Sequence, residues 1–469
     1  MLRALISLYI TVFIFTFSVS AQTITGDWFG QLDIPNGKTL RINFHISKNN
    51  ETYITSMDSP DQGAYDIPTD STSFIKNKLN IKLSALKAEY NGELKDSTII
   101  GTFTQNGYSF LLNLSRQKIK NKLPKAKPQE PKEPFNYSSE AIYFTNPKAN
   151  NIKLAGTLTL PKNTKNPEVV ILISGSGPQN RNEEVFNHKP FLVLADYLTN
   201  NGIAVLRYDD RGIAESEGDF KSATTFDFAL DVEAAIAYLK TRNDIDTSKI
   251  GLIGHSEGGL IAPIVASKNK NVAFIVLLAG PGVNGATILE TQSRRAQELA
   301  GVPQETLDDN EKLSHIIYAI IKNNKDDGII KTKIEKELND FKTNHPNSKI
   351  AAAISPKMIE EQMSILKSKW LLNFIRTEPK DYLEKTTCPV LALNGSKDFQ
   401  VLPKINLEGI KNALEKAGNK DVTIKELEGL NHLFQTAKTG SLNEYNEIEE
   451  TFSPTALKII KDWILKYSK

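Results

Sequence analysis

The chain has a single cysteine, Cys388, among 469 residues, so it has no internal disulfide and must be held together by packing. Cys388 heads the run Cys388-Pro-Val-Leu-Ala-Leu-Asn394. It reads there as a small core residue, not as a nucleophile. Charge of one sign is lacking as well. Lys+Arg number 57 against Asp+Glu 55, a formal net charge of +2. A nucleic-acid partner would call for a basic patch, so none is expected. No H-E-x-x-H, paired-cysteine or EF-hand spacing occurs, and no glycine-rich phosphate loop follows a strand. No metal and no cofactor are therefore expected. No apolar run after Val19 is long enough to span a membrane. Histidine is scarce too: six in all, so each can be weighed separately.

The first stretch that is present is N-terminal. Met1-Leu-Arg3 precedes an apolar run from Ala4 to Val19, then Ser20-Ala21-Gln22. A short positive region, an apolar core and small residues at Val19 and Ala21 predict a secretory signal peptide over residues 1–21, cleaved after Ala21. An uncleaved anchor is the alternative, because the run approaches spanning length. No cysteine follows it, which argues against lipid attachment. The expectation is an exported protein, periplasmic or extracellular, with no stable membrane insertion after cleavage.

With 40% hydrophobic residues and this length there is room for two or three domains. Residues 22–117 hold short alternating segments, among them Leu40-Arg-Ile-Asn-Phe-His-Ile46 and Lys78-Leu-Asn-Ile-Lys-Leu83, separated by turns such as Pro35-Asn-Gly37. This period predicts a small all-β module, barrel or sandwich. Trp28, Phe44 and His45 could form a ligand face there. The plainer expectation is a core Trp and Phe with a solvated His. Residues 118–136 are rich in Lys, Pro and Glu and read as a solvated, semi-extended linker.

From residue 137 to 469 the pattern changes. An antiparallel opening pair is predicted at Ala141–Thr145 and Leu154–Leu160. Continuous apolar strands follow at Val169–Ser174, Ile203–Tyr208, Ile250–Ile253, Phe274–Ala279, Val390–Leu393 and Val422–Leu427. Helical patterns lie between them, at Pro190–Asn200 and Ala223–Lys240, and a last helix is predicted at Pro454–Lys466. Buried strands alternating with helices mean a mostly parallel sheet covered on both faces. One interval breaks the rhythm: about 100 residues of helical, charged character, roughly 283–385, stand where such connections usually take about 2–6. They predict a helical insertion serving as a lid; a structural cap away from the pocket is the alternative.

The motif that organises the chain is Gly254-His255-Ser256-Glu257-Gly258, a G-x-S-x-G between an apolar strand and the helical spacing of Leu260, Ile261, Ile264 and Val265. A strained strand-to-helix turn of this kind lifts the serine hydroxyl out at the end of a sheet, and glycines leave room where a Cβ would clash. On these residues the chain resembles the α/β-hydrolase family, in its serine-aminopeptidase-like and esterase branches. The N-terminal module resembles the β-rich modules of exported bacterial hydrolases.

The resemblance implies an order along the chain: serine, then acid, then histidine. His45 lies in the β module and His188 precedes the serine. His255 adjoins it and should point elsewhere; His315 and His345 fall in the insertion. His432, in Glu428-Gly-Leu-Asn-His-Leu-Phe434 after the last strand, is the expected general base. Asp398 matches the family's Gly-x-x-Asp-x-x-Val with Gly395 and Val401, and is the expected acid; a turn or capping aspartate is the alternative. The N–H of Glu257 is the implied first oxyanion donor. The second comes from the loop Gly175-Ser-Gly-Pro-Gln-Asn-Arg-Asn182, with Ser176 favoured and Gly177 next. Relatives carry aspartates beside the arginine of this loop where the chain has Asn180 and Asn182, which leaves the partner of Arg181 open. Arg211, in Tyr208-Asp-Asp-Arg-Gly212, matches a family turn and is expected to tie loops together. The Glu257 carboxylate could receive a substrate ammonium; a solvated or capping role near the helix start is the plainer expectation.

The resulting expectation is an exported serine hydrolase that cleaves small carboxylic esters through Ser256, His432 and Asp398 and an acyl-enzyme. A serine aminopeptidase-like enzyme acting on short peptides is one alternative. A non-catalytic binding protein on a hydrolase scaffold is the other.

Overall fold

A computed structural model describes residues 23–467 except 35–37, 51, 63, 106–107, 120–126 and 366–367. The predicted signal peptide lies outside the described residues. The chain divides into two compact units, one up to Leu123 and one from Pro124.

The first unit is all β. Its strands are β1 (Gly26–Ile34), β2 (Lys38–Asn49), β3 (Thr52–Ser59), β4 (Ala64–Pro68), β5 (Ser71–Ile75), β6 (Lys78–Leu83), β7 (Ala88–Lys95), β8 (Thr98–Gln105), β9 (Tyr108–Leu111) and β10 (Leu114–Ser115). Alternation decides which face is inside: Leu79, Ile81 and Leu83 of β6 are buried, whereas Lys78 and Lys82 face out. The short β10 pairs with both β1 and β8, so the sheet closes into a barrel, with β4 hanging on β3 and β9 on β8. Closure removes the open edges of its ring. Trp28 and Phe44 are core residues, as the plainer expectation had it. His45 corrects the reading: it is not simply solvated. Its ring nitrogens meet Asp27 at 2.8 Å and Asp58 at 2.9 Å. Burial disfavours its charged form, but these two carboxylates hold its pKa above the ordinary histidine value.

The second unit opens with the antiparallel pair β11 (Tyr137–Asn146) and β12 (Ile152–Pro161), then β13 (Val169–Ile173), α1 (Pro190–Asn200), β14 (Ala204–Tyr208), α2 (Thr225–Leu239), β15 (Ile250–His255), α3 (Gly258–Ala266) and β16 (Val272–Leu278). Among the described residues, the helices that follow are α4 (Gly285–Leu299), α5 (Gln304–Asn323), α6 (Asp327–Asn344), α7 (Lys349–Ala353), α8 (Pro356–Ile365), α9 (Lys369–Arg376) and α10 (Lys380–Leu383). The sheet resumes with β17 (Val390–Gly395), α11 (Pro403–Lys416) and β18 (Val422–Leu427), before α12 (Leu442–Tyr445) and α13 (Pro454–Lys466). The strand order is β11-β12-β14-β13-β15-β16-β17-β18, parallel from β14 onward.

The apolar runs explain this arrangement. Val169, Ile171 and Ile173 of β13 enter one core with α2, α3 and α11; Val170 and Leu172 enter the other with α1 and α13. A strand covered on both faces cannot alternate with polar residues, and these do not. Pro190 and Pro454 start their helices where no N–H is missed, and α2 opens with a capping box between Thr224 and Asp227. Cys388 is half-buried against the first of these cores, and burial pushes its thiol up to about 11, which keeps it unreactive.

The expected linker needs a correction at its far end. Residues 127–130 are not a solvated spacer. Lys127 Nζ donates to the carbonyls of Asn446 (3.2 Å) and Ile448 (2.7 Å), and Glu130 pairs with Lys189 at 2.9 Å. Among the described residues no helix is long and apolar enough to cross a membrane.

Candidate active site

Because β13 to β18 run parallel, their carboxyl ends share one edge, and the site is assembled there. Ser256 lies in the turn between β15 and α3 with φ +52°, in the left-handed region. Its N–H donates to the Leu278 carbonyl at 2.8 Å. The turn is possible only with the two glycines. A Cβ at Gly254 would stand 2.0 Å from the Gly258 carbonyl oxygen, and one at Gly258 would stand 2.1 Å from that of Ile173.

Asp398 follows β17 and His432 follows β18. The Nδ1–H of His432 donates to Asp398 Oδ2 at 2.7 Å, and both side chains are buried. Asp398 Oδ1 accepts the N–H groups of Gln400 (2.8 Å) and Val401 (2.9 Å), which fixes the carboxylate. The His432 turn is shaped by Asn431, whose Oδ1 accepts from the N–H groups of Leu433 and Gln435. Ser256 and His432 line one cavity of about 270 Å3, walled by Val185, Phe186, Leu433 and Tyr445. Ser176 lines it as well. The N–H groups of Ser176, Gly177 and Glu257 have no acceptor among the described residues.

Three arrangements were not foreseen. The first is the pairing of His255. It lines the same cavity as Ser256 and is held in a buried ion pair: Nδ1 meets Glu183 Oε1 at 2.8 Å and Nε2 meets the His432 carbonyl at 3.0 Å. Both partners are acceptors, so both nitrogens carry protons. Burial opposes that charge, yet Glu183, the His432 carbonyl and Asp398 together hold the pKa above its ordinary value. Glu183 Oε1 also accepts from the Gly175 N–H at 2.7 Å, so one carboxylate ties the loop 175–182 to the His432 turn.

The second concerns Glu257. Its carboxylate is neither solvated nor capping, which corrects the plainer expectation. It is buried, and Oε1 accepts from Thr225 Oγ1 (2.6 Å) and from Trp370 Nε1 (2.8 Å). Burial raises its pKa. Trp370 belongs to α9, so the insertion reaches the residue beside the serine. Ala296 and Leu299 of α4 also pack behind the pocket wall, on the cluster of Phe399, Leu433 and Tyr445.

The third is Asp210. It is buried, with Oδ1 accepting from Ser174 Oγ (2.8 Å) and Oδ2 from the Gln179 N–H (3.0 Å), bracketing residues 175–178. Burial, with Glu257 and Glu183 nearby, pushes its pKa up to about 8. The folded chain therefore keeps a proton that the unfolded chain releases from about pH 4. Stability falls as pH rises between these two values and levels off above the upper one. Asp210→Asn, which mimics the neutral acid, is expected to flatten that slope. Urea unfolding at pH values inside the window checks it; equal slopes in both proteins would contradict it.

Arg181 and Arg211 tie the surroundings. Arg181 pairs with Asp209 (Nη2 to Oδ2, 2.5 Å) and Glu215, so its partner is Asp209 where relatives' flanking aspartates are missing. Asn182 instead meets Arg207. Arg211 grips Asp231 of α2 through Nε (2.7 Å) and Nη2 (2.8 Å). His188 is buried away from the serine, between Thr451 Oγ1 and the Tyr445 carbonyl, both at 2.9 Å.

The family model described as serine aminopeptidase, S33, matches residues 189–436, just over half of the chain. Esterase EstD of Thermotoga maritima is 27% identical over 282 residues, 60% of this chain. The chain spans 58% of the length of that curated relative. Among solved structures, the Pyrococcus furiosus esterase Pf2001 aligns at 15% identity and a TM-score of 0.44, covering 71% of this chain and 92% of its own. Est1E from Butyrivibrio proteoclasticus aligns at 16% and 0.39, covering 70% and 98%.

Proposed function

This chain belongs to the serine aminopeptidase S33 family of α/β hydrolases, and we propose that it hydrolyses small carboxylic esters through a Ser-His-Asp triad. The observation that carries the reading is the 2.7 Å hydrogen bond from His432 to Asp398, with His432 and Ser256 lining one cavity. With Nδ1–H held by Asp398, the Nε2 lone pair of His432 takes the Ser256 proton as Oγ attacks the acyl carbon. The oxyanion that forms is stabilised by the N–H groups of Glu257 and Ser176, with Gly177 next to them. His432 then gives its proton to the departing alcohol. Water, deprotonated by the same histidine, releases the acid from the acyl-enzyme.

An aminopeptidase reading follows from the family description. It needs a carboxylate free to receive a substrate ammonium. The carboxylates around the serine are engaged: Glu183 with His255 and the Gly175 N–H, Glu257 with Thr225 and Trp370, Asp210 with Ser174 and the Gln179 N–H, and Asp398 with His432. This favours esters. Turnover of p-nitrophenyl acetate should exceed that of aminoacyl p-nitroanilides by at least about 100-fold in kcat/KM, since a missing ion pair leaves the ammonium unpaired on burial. Faster cleavage of the amides would reverse the assignment. Silence on both would favour a binding protein.

The proposal includes export, resting on the N-terminal pattern of residues 1–21. The intact mass of the protein recovered outside the cytoplasm should then begin at Gln22. A full-length mass would indicate a retained anchor.

A further inference from the structure

Gln129 lies in the Lys- and Pro-rich segment that reads as a spacer, yet its side chain holds main chain more than three hundred positions away. Its Oε1 accepts from the N–H groups of Thr451 (2.6 Å) and Phe452 (3.0 Å), and its Nε2 donates to the Phe452 carbonyl (2.8 Å). One amide thus supplies what a neighbouring strand would. Lys127 holds the carbonyls of Asn446 and Ile448 on the same loop. This loop has no helix or strand of its own to order it between α12 and α13.

What the loop supports is the His432 turn. The Phe452 ring lies flat on Phe434, with centroids 5.6 Å apart and planes 5° from parallel. Ser453 N–H donates to the Phe434 carbonyl at 2.8 Å, and Glu450 Oε1 accepts from the Thr436 N–H at 2.7 Å. Phe434 is fully buried, with φ +60°, two residues beyond His432. The turn that aims His432 is therefore built against residues 450–453, and Gln129 fixes those residues from outside.

We infer that Gln129 is a positioning residue for His432, acting through the segment from Glu450 to Ser453. The inference rests on the reading of His432 as the general base. Thr451 and Phe452 are almost wholly buried, so losing the amide leaves main-chain groups without partners and the segment must shift to recover them. Phe434 follows through its stacked ring and its carbonyl. His432 then shifts relative to Ser256, where a displacement of about 1 Å costs on the order of 100-fold in rate.

The test uses the full chain. Wild type, Gln129→Met, Gln129→Glu, Ser256→Ala and His432→Ala are compared in kcat and KM for p-nitrophenyl acetate, in the rate of fluorophosphonate labelling of Ser256, and in Tm. Gln129→Met, which keeps the length and loses all three bonds, should lower kcat at least about tenfold and slow labelling by the same factor, with KM little changed. Gln129→Glu keeps the acceptor for both N–H groups but sets a second oxygen against the Phe452 carbonyl. Its activity relative to wild type should rise as the pH is lowered and the carboxyl gains a proton to donate. A merely structural role would move Tm alone. A folded Gln129→Met with wild-type kcat and labelling overturns the inference. If that variant does not fold, a Gln129→Glu ratio that stays flat with pH overturns it. Retained turnover in His432→Ala would instead sink the assignment of the base, a separate failure.

Discussion

Ser256→Gly is expected to lose ester turnover by about 10^6-fold while unfolding at a temperature about 2 °C higher than wild type. The first effect removes the nucleophile. The second comes from the backbone. Ser256 sits at φ +52°, where a Cβ crowds the main chain and costs about 1 kcal/mol. Glycine escapes that cost, and its own freedom in the unfolded chain offsets only part of the gain. Ser256→Ala is the control: it removes the hydroxyl and keeps the Cβ, so it should be equally inactive with an unchanged midpoint. Kinetics and a thermal melt on the three proteins separate the two effects. A midpoint for Ser256→Gly below that of Ser256→Ala would mean that the turn is not strained at this residue.

Asp398→Asn should lower kcat by about 10^4-fold with little change in fold. The asparagine Oδ1 can still accept the N–H groups of Gln400 and Val401, which hold the wild-type carboxylate at 2.8 and 2.9 Å. Its Nδ2 now faces His432. The histidine must then accept at Nδ1, which moves its proton to Nε2 and leaves nothing there to take a proton from serine. The imidazolium also loses its counter-charge in a buried site. Circular dichroism and kcat on small esters check the pair of claims. Turnover within tenfold of wild type would show that another group orients the base.

The candidate residues Ser256, Asp398 and His432 could be picked out because each stands in a local signal, while their order followed from the family resemblance. Glycines on both sides of Ser256, a strand before Asp398 and one before His432 are properties of short windows, and the parallel sheet then brings their ends to one edge. The core strands were legible for the same reason, since runs such as Val169 to Ile173 have no polar position. Strands β4 and β5 were not. Their sequences, Ala64-Tyr-Asp-Ile-Pro68 and Ser71-Thr-Ser-Phe-Ile75, carry mostly half-exposed or exposed residues, so no apolar alternation marks them. The partners of Glu183, Glu257 and Gln129 were hidden for another reason. Each is made with a residue far along the chain (His255, Trp370 and Phe452), and nothing in the local period at either end announces the other. Polar residues chosen by tertiary contact leave only their own identity in the sequence: a lone Glu or Gln.

His255 shows how such contacts change the chemistry without entering it. Its two acceptors keep it protonated, and its ring centroid is 4.8 Å from that of His432. Its charge is balanced by Glu183, which in turn holds the Gly175 N–H. The loop 175–182 and the His432 turn are thus fixed by one buried pair, and removing one member alone would strand the other's charge in the interior.

The most direct measurement of the central claim is the reaction of the purified chain with a fluorophosphonate, followed by peptide mapping of the labelled residue. Label on Ser256 that is lost in His432→Ala and strongly slowed in Asp398→Asn is the predicted result, since only an activated serine attacks phosphorus at a useful rate. Folded protein that takes up no label, or carries it at a residue other than Ser256, would contradict the triad.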